Sequence, residues 1–429
     1  MIPEVLVLIC SFVILLAIGV PVAWSLGISC TLTILLSMDS LVAFTTVSQR
    51  MAIGLDSFSL LAIPMFILAG QIMNSGGIAR RLIDFAKALM GSLPGGLIYV
   101  NVVAAMLFGA ISGSAVAATS ALGGILGPRM NKEGYSKELG AAVNMTSSTT
   151  GLLIPPSNIL IVYSLASGGV SISSLFLAGY LPGALLGLGL MLAAAVWIKR
   201  HNYPKGDRSS MKRVVFTFLD AFPSLLLLFI VIGGIVAGVF TATEASGIAV
   251  LYCMILAMIY RELTWKGLPD VFLKAVGTTA IVLLLIATSM SMSWVMSYEE
   301  IPQAVSEVLL GISDNILVIL LIINVLLLLV GTFMDMTPAV LIFTPIFLPV
   351  VTSMGVDPVH FGIIMVLNLC VGLVTPPVGS VLFIGVSVAK TTIQKIIRPL
   401  LPLYLVMIII LMVVTFIPAV SLWIPRLFD

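Results

Sequence analysis

Residues 151–158 read GLLIPPSN, and residues 372–379, 221 positions further on, read GLVTPPVG. Each motif sets two consecutive prolines inside a long apolar run. A proline has no N–H to give a helix and disfavours helix at the residue before it, so Pro155–Pro156 and Pro376–Pro377 each predict an unwound point. Two more landmarks keep nearly the same spacing: Pro128 and Pro349 lie 221 positions apart, Pro182 and Pro402 lie 220 apart. The most polar stretch, KRHNYPKGDRSSMKR at residues 199–213, falls close to the middle. The chain therefore reads as a duplication, residues 1–198 and 214–429, joined by that linker.

The surroundings of the motifs decide the medium. Of 429 residues, 60% are hydrophobic and 9% charged, far from the roughly 25% charged that a water-facing surface needs. Apolar stretches long enough to span recur along the whole length: Val5 to Ala17, Trp24 to Leu36, Ser59 to Met73, Leu175 to Ile198, Phe216 to Ala237, Gly247 to Tyr260, Thr278 to Met296 and Leu403 to Ile417. The chain is expected to be an all-α polytopic membrane protein, with its first apolar segment retained as a helix. Pro21 either kinks one long helix or separates two short ones. The short alternating segments of a membrane barrel are absent, and a net charge of +2 in scattered clusters makes no nucleic-acid surface. Cys10, Cys30, Cys253 and Cys370 lie in apolar runs without shared spacing and read as small buried hydrophobes.

Basic residues set the orientation. Joints carrying Arg80, Arg81 and Lys87, then Arg129, Lys132 and Lys137, then the 199–213 linker, then Arg261, Lys266 and Lys274, then Lys390, Lys395 and Arg398 are expected in the cytoplasm. Residues 168–174, 297–314 and 352–359 hold no Lys or Arg and are expected outside. Leu93 to Arg129 then enters and leaves on the inner face, Asn315 to Val351 on the outer face. Each is interrupted near its middle, by GAISGS at Gly109 to Ser114 and by GTFMDMT at Gly331 to Thr337. The reading is a pair of re-entrant helical hairpins of opposite orientation, each paired with a broken helix in an inverted repeat.

Unwound backbone at membrane depth is tolerated only inside protein or beside a water-filled cavity. Its carbonyls are hard oxygen ligands, and Ser147, Ser157, Asn158, Thr375 and Ser380 add hydroxyl and amide groups nearby. The hairpin tips, Ser112-Gly113-Ser114 and Gly331 to Pro338, supply the facing wall. Neutral oxygens at two related places are the donor set of a sodium-coupled site. Asp335 is the carboxylate of greatest interest: it ligates an ion, caps the helix starting near Thr337, or does both. Glu244 stands three positions after Thr241, the spacing of a capping box, though a contact between domains or subunits is also open to it. Gly123 to Gly127 and Gly183 to Gly189 read as close helix packing. No phosphate-binding loop, HExxH or GxSxG motif is present, so neither an ATP-driven pump nor a membrane hydrolase has visible machinery.

Several blocks together resemble the large membrane subunit of tripartite ATP-independent periplasmic (TRAP) transporters, the DctM-like family. They include LAIGVPVAWSLG at Leu16, LAIPMFILAGQIM at Leu61, FGAISGSAVAATSALGGI at Phe108, TTGLLIPPSNILIVY at Thr149, GVFTATEASGIAVLY at Gly238 and GTFMDMTPAVLIFTPIFLPV at Gly331. The resemblance implies an elevator-type sodium symporter of a bacterial or archaeal inner membrane. Its mobile transport domain would hold about residues 93–168 and 315–389, moving against a scaffold of the remaining helices. It implies two partners, a periplasmic substrate-binding protein and a small four-helix membrane subunit; no segment here resembles the latter, which suggests an unfused form. It places one sodium ion near Ser112, Gly113, Ser114, Gly151 and Pro155, and a second near Gly331, Thr332, Asp335, Gly372, Thr375 and Pro376. Ser147, Ser157, Asn158, Thr337 and Ser380 are the candidates for holding substrate. The substrate class implied is an organic anion such as a C4-dicarboxylate or sialic acid. The alternative within transport is a self-sufficient sodium–dicarboxylate symporter that needs no binding protein.

Overall fold

The computed structural model describes residues 2–75, 77–201 and 210–428, and its regular elements are helices. Most of the 199–213 linker lies outside the described residues. The first half runs α1 (Ile2–Ala17), α2 (Val22–Ser37), α3 (Ser40–Leu55), a 3-10 turn (Phe58–Leu61) leading into α4 (Ala62–Ser75), α5 (Ile78–Met90), α6 (Gly96–Ser112), α7 (Ala115–Lys132), α8 (Lys137–Ser148), α9 (Asn158–Ala166) and α10 (Ile172–His201). The second runs α11 (Met211–Val236), α12 (Ala242–Ile259), α13 (Leu268–Tyr298), α14 (Ile301–Ile312), α15 (Ile316–Phe333), α16 (Met336–Ser353), α17 (Pro358–Gly372), α18 (Ser380–Ala389) and α19 (Ile393–Phe416), then two short turns.

Local chemistry sets the helix ends. Thr241 and Glu244 make the full capping box, the Thr241 N–H donating to the Glu244 carboxylate at 2.8 Å and the Glu244 N–H to the Thr241 hydroxyl at 3.2 Å. Asp357 caps α17, accepting from the Val359 N–H at 2.7 Å just ahead of Pro358. Pro21, with ψ at 142°, follows Gly19 in the left-handed region, so α1 and α2 are two helices and not one kinked rod.

The duplication extends to element boundaries. α7 and α16 begin and end 221 positions apart, and α8 and α17, like α10 and α19, begin 221 apart. The halves differ where α3 and α4, separated by an extended Ser57, stand opposite the single 31-residue α13. Three helices lie outside the predicted spans: α3, α5 and α14. α5 (IARRLIDFAKALM) and the 12-residue α14 are too short or too charged to cross a bilayer, and α3 carries Ser, Gln and Arg; a search for long apolar runs passes over all three.

This is a polytopic membrane protein. Eight described helices are long and apolar enough to span, among them α10, α11, α13, α15 and α19. Phe216 and Phe229 on α11 are 72% and 73% exposed, a surface suited to hydrocarbon and not to water. Cys10, expected to be buried, lies on such an outward face of α1; the other three cysteines are buried, and all four are free thiols. By contrast α8 is buried at every residue from Leu139 to Ser148, and α17 from His360 to Gly372. The two proline-terminated helices therefore run through the middle of the protein, where other helices rather than lipid surround the irregular backbone that follows them.

Candidate functional site

α6 ends at Gly113, whose φ of 60° is open to glycine at no steric cost, and its N–H donates to the Gly109 carbonyl at 2.9 Å. Ser114 then starts α7, its hydroxyl accepting from the Ala117 N–H at 3.2 Å. A side chain on Gly113 would stand 2.9 Å from the Asn158 amide, so this tip is pressed against the start of α9, just past the first proline pair. One turn back, Gly109 meets Gly151 backbone to backbone.

The second half repeats the arrangement. Gly331 near the end of α15 meets Gly372 at the end of α17, again without room for a side chain on Gly372. Two hydrogen bonds tie this tip to the second break: the Gly379 N–H donates to the Thr332 carbonyl at 3.0 Å, and the Ser380 hydroxyl donates to Asp335 Oδ1 at 3.3 Å. Asp335 occupies the N-cap position of α16, yet its side chain makes no cap hydrogen bond. Of the two roles open to it from sequence, capping is not the one its carboxylate performs. It is instead exposed to a cavity.

At both breaks the unwound backbone is partly re-paired. Pro155 and Pro156 withhold the N–H groups that the Gly151 and Leu152 carbonyls would take in a continuous helix. The Leu152 carbonyl accepts the Ser157 hydroxyl instead. In the second half the Gly372 carbonyl accepts the Thr375 N–H at 2.9 Å, and Leu373, the counterpart of Leu152, accepts the N–H groups of Val381 and Leu382 at 3.2 and 3.3 Å. The Leu152 and Gly372 carbonyls thus each accept one local hydrogen bond and keep a second lone pair, whereas the Leu373 carbonyl accepts two. The peptide bonds Pro155–Pro156 and Pro376–Pro377 are both cis.

Buried amides hold the arms in place. Asn368 on α17 donates to the Asn324 backbone carbonyl at 2.9 Å and to its side-chain oxygen at 2.7 Å, and Asn324 donates to Thr415 at 3.0 Å. Ser147, expected near substrate, is buried away from the cavity and donates to the Val143 carbonyl of its own helix at 2.7 Å. The Thr375 hydroxyl donates to the Val371 carbonyl at 2.7 Å and faces Tyr404.

One cavity of about 600 Å³ gathers the tips and the flanks of the breaks. Ser112, Gly113, Ser114 and Asn158 line it from the first half, Asp335 and Thr337 from the second. Ser157, Ser380, Gly151, Pro155, Gly331, Thr332, Gly372, Thr375 and Pro376 stand outside its lining. Gln71 and Asn74 on α4, Ser120 on α7 and Thr278 on α13 also line it, none of them a site candidate from the sequence. The available signal was weak: two amides three positions apart on an otherwise apolar helix, which places them on one face. Among the described residues Asp335 is the one charged residue in the lining.

Residues 9–420 match the family of the tripartite ATP-independent periplasmic transporter, DctM component. This chain belongs to that family. It is 54% identical to the uncharacterized protein YgiK of Salmonella typhimurium over 99% of this chain and 98% of that protein. It is 39% identical to the 2,3-diketo-L-gulonate TRAP transporter large permease protein YiaN of Escherichia coli, covering 94% of each. The isethionate TRAP transporter permease protein DctMQ of Oleidesulfovibrio alaskensis is also 39% identical, over 96% of this chain, which spans 65% of that longer protein. In fold the chain is similar to the crystal structure of the Alcanivorax borkumensis YdaH transporter, with a TM-score of 0.65 at 15% identity, covering 90% of this chain and 89% of that one.

A DctM component is a multi-pass transport protein of the inner membrane. Among the described residues no group of three or more His, Cys, Asp or Glu side chains gathers as a metal site. The donors at the DctM cavity are hydroxyls, amides and one carboxylate, a hard-oxygen set suited to weakly bound cations and to polar solutes.

Proposed function

We propose that this DctM component carries an organic anion into the cell together with sodium ions. The observation that carries the reading is the convergence of both hairpin tips and the flanks of both proline breaks on one cavity whose single charged lining residue, among the described residues, is a carboxylate. An anion placed beside Asp335 alone would be repelled; at 4 Å two like charges cost about 4 kcal/mol at an effective dielectric of 20. A cation must therefore travel with it. The first sodium ion is assigned to the tip Ser112–Ser114 with the carbonyls of Gly151 and Pro155, the second to Gly331, Thr332 and Asp335 with Gly372, Thr375 and Pro376. The close approach of Gly109 to Gly151 and the Gly379–Thr332 hydrogen bond support pairing each tip with its own break. Asn158 and Thr337, which face the cavity between the two tips, are the foremost substrate ligands.

The movement is of the elevator kind, the two halves being inverted in the membrane. Residues 93–168 and 315–389 form the moving body, and α4 and α13 belong to the scaffold beside it. Gln71, Asn74 and Thr278 extend the cavity toward the ends of α4 and α13 that adjoin Arg80 and Lys274, and the positive-inside rule makes this an inward-facing state. Relatives named for isethionate and 2,3-diketo-L-gulonate support an organic anion as cargo. The partners are the periplasmic binding protein that delivers the anion and the small four-helix membrane subunit.

The test is reconstitution of the complex in proteoliposomes, with uptake of a panel of organic acids measured with and without the binding protein. Uptake only of protein-delivered substrate is expected. Equal uptake of free substrate would overturn the tripartite reading in favour of a self-sufficient symporter.

A further inference from the structure

A second cavity, of about 220 Å³, lies apart from the transport cavity, between α7, the first two turns of α8 and the last turn of α18. Its size is below the roughly 300–1,000 Å³ of pockets for larger ligands, so it suits a small one. Its mouth carries two ammonium groups, Lys137 at the start of α8 and Lys390 at the end of α18, both exposed and neither in an ion pair among the described residues. Its buried lining carries two amides with unpartnered atoms. Asn101 is fully buried and its Nδ2 has no partner; Asn144 is 3% exposed and its Oδ1 has none, because its Nδ2 is committed to the Thr119 carbonyl at 2.7 Å. Buried polar atoms of this kind normally find a partner.

Two further observations set this place apart from ordinary packing. Lys390 adopts φ 51° and ψ 55°, a left-handed conformation that burdens a lysine and not a glycine. Positions 221 residues away carry Ile322, Pro358, Met365 and Gly169 where the cavity has Asn101, Lys137, Asn144 and Lys390. The positions related by the duplication therefore carry no amide or charge, and the polarity belongs to this cavity and not to its counterpart in the repeat. Gly127, read from sequence as a packing glycine, instead opens onto this space, with nothing near the place of its missing side chain.

We propose that this cavity, on the cytoplasmic side of the transport body, binds a small organic anion that also carries a hydroxyl group, a hydroxy-carboxylate. The carboxylate meets Lys137, Lys390 and the Asn101 amide N–H, and the hydroxyl donates to Asn144 Oδ1. Neither the transport cavity nor its cation sites supply any of these groups.

The test is equilibrium binding of radiolabelled malate to the full chain in nanodiscs without sodium, competed by unlabelled malate, succinate or inorganic phosphate. Saturable malate binding is expected, with succinate, which lacks the hydroxyl, at least about fivefold weaker. The Lys137→Gln/Lys390→Gly pair, at exposed positions and with glycine at home in the left-handed turn, is expected to weaken malate binding about tenfold while leaving thermal unfolding unchanged. Asn101→Ala is expected to weaken it as well, and Asp335→Asn in the other cavity to leave it intact. Absence of saturable binding, tighter binding of phosphate than of malate, or loss through Asp335→Asn with the lysine pair unaffected would each overturn the proposal.

Discussion

Gly151 packs against Gly109 so closely that a methyl group on Gly151 would stand 2.2 Å from the Gly109 Cα. The first hairpin and the first broken helix thus touch through bare backbone, and Gly372 with Gly331 does the same in the second half. This contact presses each tip onto its break.

Gly151→Ala is accordingly expected to be destabilising by about 1–3 kcal/mol, the cost of overpacking a contact with no flexible side chain to yield. Gly124→Ala, on α7 with open space at its side-chain position, is the matched control and is expected to be neutral or slightly stabilising. Thermal unfolding in detergent distinguishes the two: Gly151→Ala should lower the midpoint and Gly124→Ala should not.

The Ser380 side chain donates to Asp335 across the second tip and break. Removing its hydroxyl leaves the carboxylate in place but less well positioned. Ser380→Ala is expected to weaken apparent sodium affinity about tenfold, as befits a hydrogen bond to a charged group of about 1.5 kcal/mol, with maximal uptake largely kept. Asp335→Asn should instead abolish coupled uptake. Sodium titrations of uptake for both variants test the order of severity.

Asn368 is fully buried and reaches both oxygens of Asn324, which in turn holds Thr415. Asn368→Leu leaves the Asn324 side-chain oxygen without its donor, at about 1–3 kcal/mol. Asn324→Leu with Asn368→Leu should cost less than the sum of the single changes, because neither amide is then stranded. A double-mutant cycle on unfolding midpoints reads this directly.

Arg81 on α5 lies 3.5 Å over the Tyr260 ring and pairs with Asp220 at 3.3 Å and Glu262 at 3.1 Å, fastening α5 to α11 and to the end of α12. The acidic partners are partly exposed, so the pairing is screened and its loss costs about 1 kcal/mol. Arg81→Lys should recover little of it, since an ammonium lacks the planar fork that stacks on the ring while reaching two carboxylates. Unfolding midpoints at low and high salt should show a wild-type advantage that shrinks with salt.

The parts of this molecule written as backbone chemistry were legible in its sequence. The proline pairs, the glycines facing them and the 221-residue register follow from what Pro and Gly do to a chain, whatever surrounds them. So does the Thr241–Glu244 box, which involves only four consecutive residues. Side-chain direction was not legible. Ser147 could have faced the cavity, but its hydroxyl bonds back to Val143 one turn earlier, and nothing in its neighbours declares that choice. Gln71 and Thr278 reach the cavity from helices distant in sequence from the tips and breaks. Gly123 packs against Asn144 while Gly124 and Gly127 face open space, a distinction set by which turn of α7 meets α8 and α18.

The most direct test of the account is uptake by the reconstituted chain with the proposed binding protein and small membrane subunit, under an imposed sodium gradient and with charge movement recorded. Uptake that requires external sodium, collapses when the gradient is dissipated and carries net positive charge inward is the predicted result. Electroneutral uptake at an undiminished rate without sodium would contradict it.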